Sequence, residues 1–321
     1  MGEARPHSIP PMFLSALVLG LLMRNGAHDA SSIWQPDAAF RGQVFAACKN
    51  AGANFPSCFA EQMKAAGASP EALAFTRQIQ NDGYMTAYRA IGPIGIAEAE
   101  NPFRANENEA LWLVNGDPVA INVDPVNKSR MNELKADEAY RAMSAQHPDA
   151  SIWPGDRTSV DDVLPTEWPD GSKQFIIGYR IRAGCHACAI LGESFFSFHF
   201  DKDGKFGGEH FSGFTTEYKP GDNSKRFIIS GAQSQSFTLL LRSNPTTGYS
   251  WRLDSVTNGA SATRVKAETG APEKRIGQGG EDRWTVQAPN TGEAVLIFEY
   301  GRPWEKEAGD AKQVTLVLRV R

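Results

Sequence analysis

The chain has 321 residues, 41% hydrophobic and 22% charged, with 4 cysteines and a formal net charge of −4. This length carries a prior of two domains, each large enough for its own core, and the balance excludes a disordered or fibrous chain. No basic run of the kind that marks nucleic-acid binding is present, and the charge divides unequally: 19 Lys/Arg against 27 Asp/Glu before residue 225, and 14 against 10 from there on.

Residues 1–30 read as an export signal. Arg5 and His7 precede an apolar run from Met12 to Met23, and small residues follow, with Ala27 and Ala30 as cleavage points. Such a run fits the core of a signal peptide and is too short to span a bilayer comfortably. The expected location is therefore periplasmic or secreted.

Residues 31–218 read as an exported α+β domain. Helices are expected over Ala38–Lys49, Cys58–Ala66 and Pro70–Gln80, the last capped by Ser69. A strand pair over Ala110–Asn115 and Val119–Val123 turns at Gly116-Asp117, and one helix covers Met131–Gln146 after Ser129. Strands follow over Gln174–Arg182 and Glu193–Phe200, with a hairpin turn at Asp201–Gly204.

Four cysteines in an exported chain imply two disulfides, Cys48 with Cys58 and Cys185 with Cys188. The second pair is a C-x-x-C. Thiol oxidoreductases place that motif where a strand passes into a helix, but here strand flanks it on both sides, which favours a structural staple. Two Cys and His186 lack the second ligand pair of a zinc site, and the Asp201-Lys-Asp-Gly turn lacks the distal Glu of a calcium loop. His147, His186, His199 and His210 read as ordinary turn or strand residues. No catalytic residue, metal or cofactor is expected, and the role of this half is not legible.

A polar stretch with a Pro-Gly turn places a linker at 219–224, followed by a C-terminal domain at 225–321. Strands are expected over Phe237–Arg242, Ser250–Leu253, Arg283–Val286, Ala294–Glu299 and Gln313–Val320. About seven short strands separated by turn signals read as an antiparallel, immunoglobulin-like β-sandwich. Between the strands lie Asn244-Pro245-Thr246-Thr247-Gly248-Tyr249, Gly277-Gln278-Gly279-Gly280 and Arg302-Pro303-Trp304. Pro245 fixes one φ and Gly248 permits φ > 0, so the first loop should be rigid and protruding. Tyr249 and Trp251 share a strand face and can anchor its base.

These three loops, in this order and spacing, resemble the chagasin-type inhibitors of papain-like cysteine proteases, over roughly Lys225 to Arg321. The resemblance implies that the loops gather at one end of the sandwich as a wedge for the protease cleft. Thr246 and Thr247 would then sit at the tip near the catalytic Cys/His pair. Arg302 and Trp304 would lie on the primed side, and Gly277 to Gly280 on the unprimed side. A wedge needs no nucleophile, and residues 225–321 contain no Cys and no His. It needs rigid loops and a few aromatic or Arg anchors, which this segment supplies. The expected partner is a papain-like cysteine protease. Two other readings are an exported adhesion or assembly module and, less in keeping with the flanking strands, an oxidoreductase centred on Cys185 and Cys188.

Overall fold

The computed structural model describes residues 27–104, 108–125, 128–155, 159–217, 224–231, 235–244, 247–265, 280–302, 304 and 311–320. The apolar run expected to be the core of an export signal and residues 219–223 of the expected linker lie outside them. Helices α1 (Phe40–Cys48), α2 (Phe55–Ala65) and α3 (Pro70–Gln78) come first. Strands β1 (Tyr84–Ile91), β2 (Ile94–Glu100), β3 (Glu109–Val114) and β4 (Ala120–Asn122) follow, then α4 (Lys128–Ala136) and α5 (Glu138–Gln146). After β5 (Ala150–Pro154) and β6 (Val163–Glu167) come three long strands, β7 (Lys173–Ala183), β8 (Ile190–Phe200) and β9 (Phe206–Thr215). The C-terminal part contains β10 (Ser224–Ser230), β11 (Ser236–Ser243), β12 (Ser250–Val256), β13 (Ser261–Arg264), β14 (Gly280–Gln287), β15 (Gly292–Gly301) and β16 (Lys312–Val320). Among the described residues no helix is long and apolar enough to cross a membrane.

The strands form three sheets. The first has the order β1-β2-β3-β4 and the third β10-β16-β15-β12; between them runs a long sheet, β13-β14-β11-β6-β7-β8-β9, with β5 also paired to β7. The long sheet crosses the boundary drawn at 219–224: β11 pairs with β6 through Thr238 opposite Glu167 and Leu239 opposite Thr166. Both of its faces are covered. Ile176, Phe195, Leu239 and Leu241 join the core shared with the third sheet. Phe175, Ile177, Phe196, Phe198 and Leu240 join a second core with Ile96 and Leu113 of the first sheet and Leu134 and Tyr140 of α4 and α5. Side chains alternate across a strand, so burial on both faces requires the unbroken apolar runs seen at Phe175-Ile-Ile177 and Leu239-Leu-Leu241. The far face of the first sheet, with Met85, Ala97 and Ala99, packs on Phe75 of α3.

Two expectations need correction, and one element was not expected. The helix at Met131–Gln146 is two helices, because Asp137 leaves helical geometry and its carboxylate accepts from Tyr140 N (2.9 Å), capping α5. The sandwich is not wholly antiparallel, since β10 runs parallel to β16. The segment 84–100, whose pattern points to no element, is a β-hairpin. Both disulfides are formed. Cys48–Cys58 ties α1 to α2, and Cys185–Cys188 closes the turn between β7 and β8, strand on either side.

One partly buried carboxyl gives a pH-dependent prediction. Burial lifts Glu193 on β8 from an ordinary 4.5 to about 7, against the opposing pull of Arg180 and Arg226. Between those two values the folded chain keeps a proton that the unfolded chain has lost. Stability therefore falls as pH rises through that window and stays lower above it. Glu193→Gln should raise the melting temperature relative to the unmutated chain at pH 8 and leave it unchanged at pH 4; an equal difference at both would refute the buried proton.

Candidate functional site

Strand register brings the strand ends that flank the three loops to one end of the sandwich. Ser243, where β11 ends, pairs with Gly280, where β14 begins. On the opposing sheet Ser250, where β12 begins, pairs with Gly301, where β15 ends, and Tyr300 pairs with Lys312, where β16 begins. The two sheets are joined at this end by Trp251, whose Nε1 donates to Arg242 O (2.9 Å) and whose backbone N donates to Asp282 Oδ2 (3.1 Å). The strand ends that flank 244–249, 266–279 and 302–311 therefore lie at one end of the sandwich.

The first loop is braced from within and from the third. Asn244 O accepts from Thr247 N (3.1 Å) and from Thr247 Oγ1 (2.7 Å), closing a tight turn. Asn244 N donates to the Tyr300 hydroxyl (2.7 Å). Gly248 has φ +78°, a region that L-residues rarely adopt, and a Cβ there would lie 2.7 Å from Trp304 Cη2. The indole of Trp304 thus rests on the bare backbone of Gly248 while remaining 68% exposed. Arg302 places its guanidinium carbon 4.6 Å above the Tyr249 ring centroid, and its Nε donates to Thr247 O (3.4 Å). Tyr249 and Trp251 both stack on Tyr300, at 5.5 and 5.1 Å, which is the shared anchoring face expected from their spacing. Of the residues singled out in the sequence, Pro245, Thr246, Gly277, Gln278, Gly279 and Pro303 lie outside the described residues.

The base of the glycine-rich segment is held by a residue that the sequence did not point to. Arg89 of β1, 7% exposed, grips Glu281 with two hydrogen bonds (2.8 and 2.7 Å) and also donates to Leu240 O (3.2 Å). Asp161 sits 3.2 Å from Arg242 and 3.8 Å from Arg89. The N-terminal half therefore fixes the strand next to Gly280. No local pattern could have revealed this, because the partners are 192 positions apart.

A model of the chagasin family of peptidase inhibitors matches residues 232–318, a span that contains all three loops. Amoebiasin-1 of Entamoeba histolytica is 31% identical over 100 residues, which is 31% of this chain and 96% of that protein. This chain belongs to the chagasin family. Among solved structures, the cysteine protease inhibitor EhICP2 from Entamoeba histolytica is 24% identical over 30% of this chain and 85% of its own, with a TM-score of 0.23. PbICP-C, solved in complex with falcipain-2, is 14% identical over 33% of this chain and 95% of its own, with a TM-score of 0.26. The chagasin family is one of inhibitors, not of enzymes, and among the described residues no group of three His, Cys, Asp or Glu is arranged to hold a metal.

Proposed function

We propose that the chain is an exported inhibitor of papain-like cysteine proteases, which it blocks by inserting the three loops into the active-site cleft. Thr246 and Thr247 enter nearest the catalytic pair, Arg302 and Trp304 contact the primed rim, and Gly277 to Gly280 the unprimed rim. Membership of the chagasin family supports protease inhibition. The observation that supports the wedge is the contact between the first loop and the third: Trp304 rests on Gly248 and Arg302 on Tyr249, bracing the outgoing side of the first loop before any protease arrives. Such preorganisation lowers the ordering cost of binding. Export is favoured by the apolar run near the N-terminus and by two disulfides.

Titration of papain with the full chain tests this reading. Inhibition should be reversible, competitive with substrate and unaffected by dithiothreitol, because residues 225–321, which carry the three loops, contain no cysteine. Non-competitive kinetics would sink the cleft-filling model. Within it, Trp304→Ala should weaken inhibition about thirtyfold or more, the effect of truncating an aromatic anchor worth about 2 kcal/mol, mainly through a faster off-rate. Surface plasmon resonance with immobilised papain reads both rates.

A further inference from the structure

Strand β11 leads into the first loop at Ser243 and begins at Ser236, about 23 Å away at about 3.3 Å per residue. Beside Ser236 lies a cavity of 650 Å³ that the inhibitory end does not use. It is built where the two halves of the chain meet: Gln174, His199 and His210 come from β7, β8 and β9, Trp168 from the turn after β6, and Gln235 from the approach to β11. Its volume falls within the usual range of small-ligand sites.

The lining is polar and almost without charge. Among the described residues that line it, every polar side chain apart from Asp170 is a hydroxyl, an amide, an imidazole or an indole, and none is Lys or Arg. The inner groups are held in place. Trp168 Nε1 donates to Gln174 Oε1 (3.3 Å), so the Gln174 amide nitrogen faces His199 Nε2 (3.3 Å), and Ser197 Oγ lies 3.1 Å from the same ring nitrogen. Gln174 and Ser197 are both buried. Burial, reinforced by the neighbouring His210, holds His199 down at about 4, so its imidazole is neutral above pH 5. Trp168 and Phe211 add aromatic surface to the same cavity.

This chemistry selects a ligand class. A phosphate-bearing ligand would meet no Lys or Arg among the described lining residues, whereas such groups are normally held by Arg or Lys. A wholly apolar ligand would strip water from buried amides and hydroxyls without replacing their hydrogen bonds. A molecule with apolar C–H faces and a ring of neutral hydroxyls satisfies both the aromatic and the amide surfaces. We propose that this cavity binds a neutral sugar, of one or two residues. Because it lies at the opposite end of β11 from the loops, sugar and protease can be held together.

The test is saturation-transfer difference NMR on the full chain with glucose, galactose, mannose, N-acetylglucosamine, maltose, lactose and cellobiose, with glucuronate and glucose 6-phosphate as charged comparators. At least one neutral sugar should bind saturably, with the charged comparators at least tenfold weaker. His210→Ala and Gln235→Ala, both at exposed positions where folding is not at stake, should each weaken that sugar about fivefold, as expected for the loss of a hydrogen bond. Papain inhibition should be unchanged in both variants. Absence of a signal from every neutral sugar overturns the proposal. So does binding that is indifferent to His210→Ala, Gln235→Ala and Trp168→Ala alike, or a preference for the charged comparators.

Discussion

Replacing Gly248 with Val should weaken papain inhibition by roughly two orders of magnitude or more while leaving the fold intact. Two costs combine. A side chain at φ +78° costs about 1–2 kcal/mol, and a β-branched one suffers most. The new Cβ would also sit 2.7 Å from Trp304 Cη2, so the indole must leave its seat and the anchor is lost, at about 2 kcal/mol. Together these amount to about 3–4 kcal/mol, and each 1.4 kcal/mol is about tenfold in affinity. The melting temperature should barely change, since Gly248 lies between β11 and β12, where the free loop relaxes out of the strained conformation and the cost falls on binding. Thr247 provides the companion test. Thr247→Ala removes only the hydroxyl bond to Asn244 O, a loss of about 1 kcal/mol. Thr247→Trp keeps the backbone turn but enlarges the tip, and should be the worse of the two. If folded Gly248→Val and Thr247→Trp both inhibit like the unmutated chain, the braced loop is not the inhibitory element.

The sandwich was legible because its signals are local. Pro and Gly punctuate the loops, the strands between them are rich in β-branched and aromatic residues, and Phe237–Arg242 and Gln313–Val320 fall within the observed β11 and β16. The first hairpin was not, since Ile94–Glu100 reads Ile-Gly-Ile-Ala-Glu-Ala-Glu, a composition poor in strand formers; pairing with β1 and β3 overrides it. The break at Asp137 was readable in principle, because an Asp three residues before Tyr140 is a helix-capping signal inside an apparently continuous pattern. The joining of the two halves left one trace. Leu239-Leu-Leu241 does not alternate, and an unbroken apolar strand is buried on both faces. What covers the second face, and the grip of Arg89 on Glu281, depend on residues far away in sequence.

That covered face leads to the last expectation: a fragment of residues 225–321 should be much less stable than the full chain. Amoebiasin-1 is matched over 96% of its length by 31% of this chain, so the relative is little more than the matched segment. Here the same segment shares its central strand with the N-terminal half. Excision would expose Leu240, now 3% exposed, and remove Leu164, Ile176 and Phe195 from the sandwich core. At about 1.5–3 kcal/mol per buried side chain these four contribute about 6–12 kcal/mol, comparable with the whole stability of a typical domain. Excision would also free the edge of β11 now paired with β6, and an unpaired strand edge invites aggregation. The grips of Arg89 on Glu281 and of Asp161 on Arg242 would be lost as well. The fragment should therefore melt far below the full chain, or fail to melt cooperatively, and should inhibit papain poorly at 37 °C. Circular dichroism melts of both, with papain titrations at 10 °C and 37 °C, decide the matter. A fragment that melts at the temperature of the full chain and inhibits equally well would show that the shared sheet adds nothing to the inhibitory end.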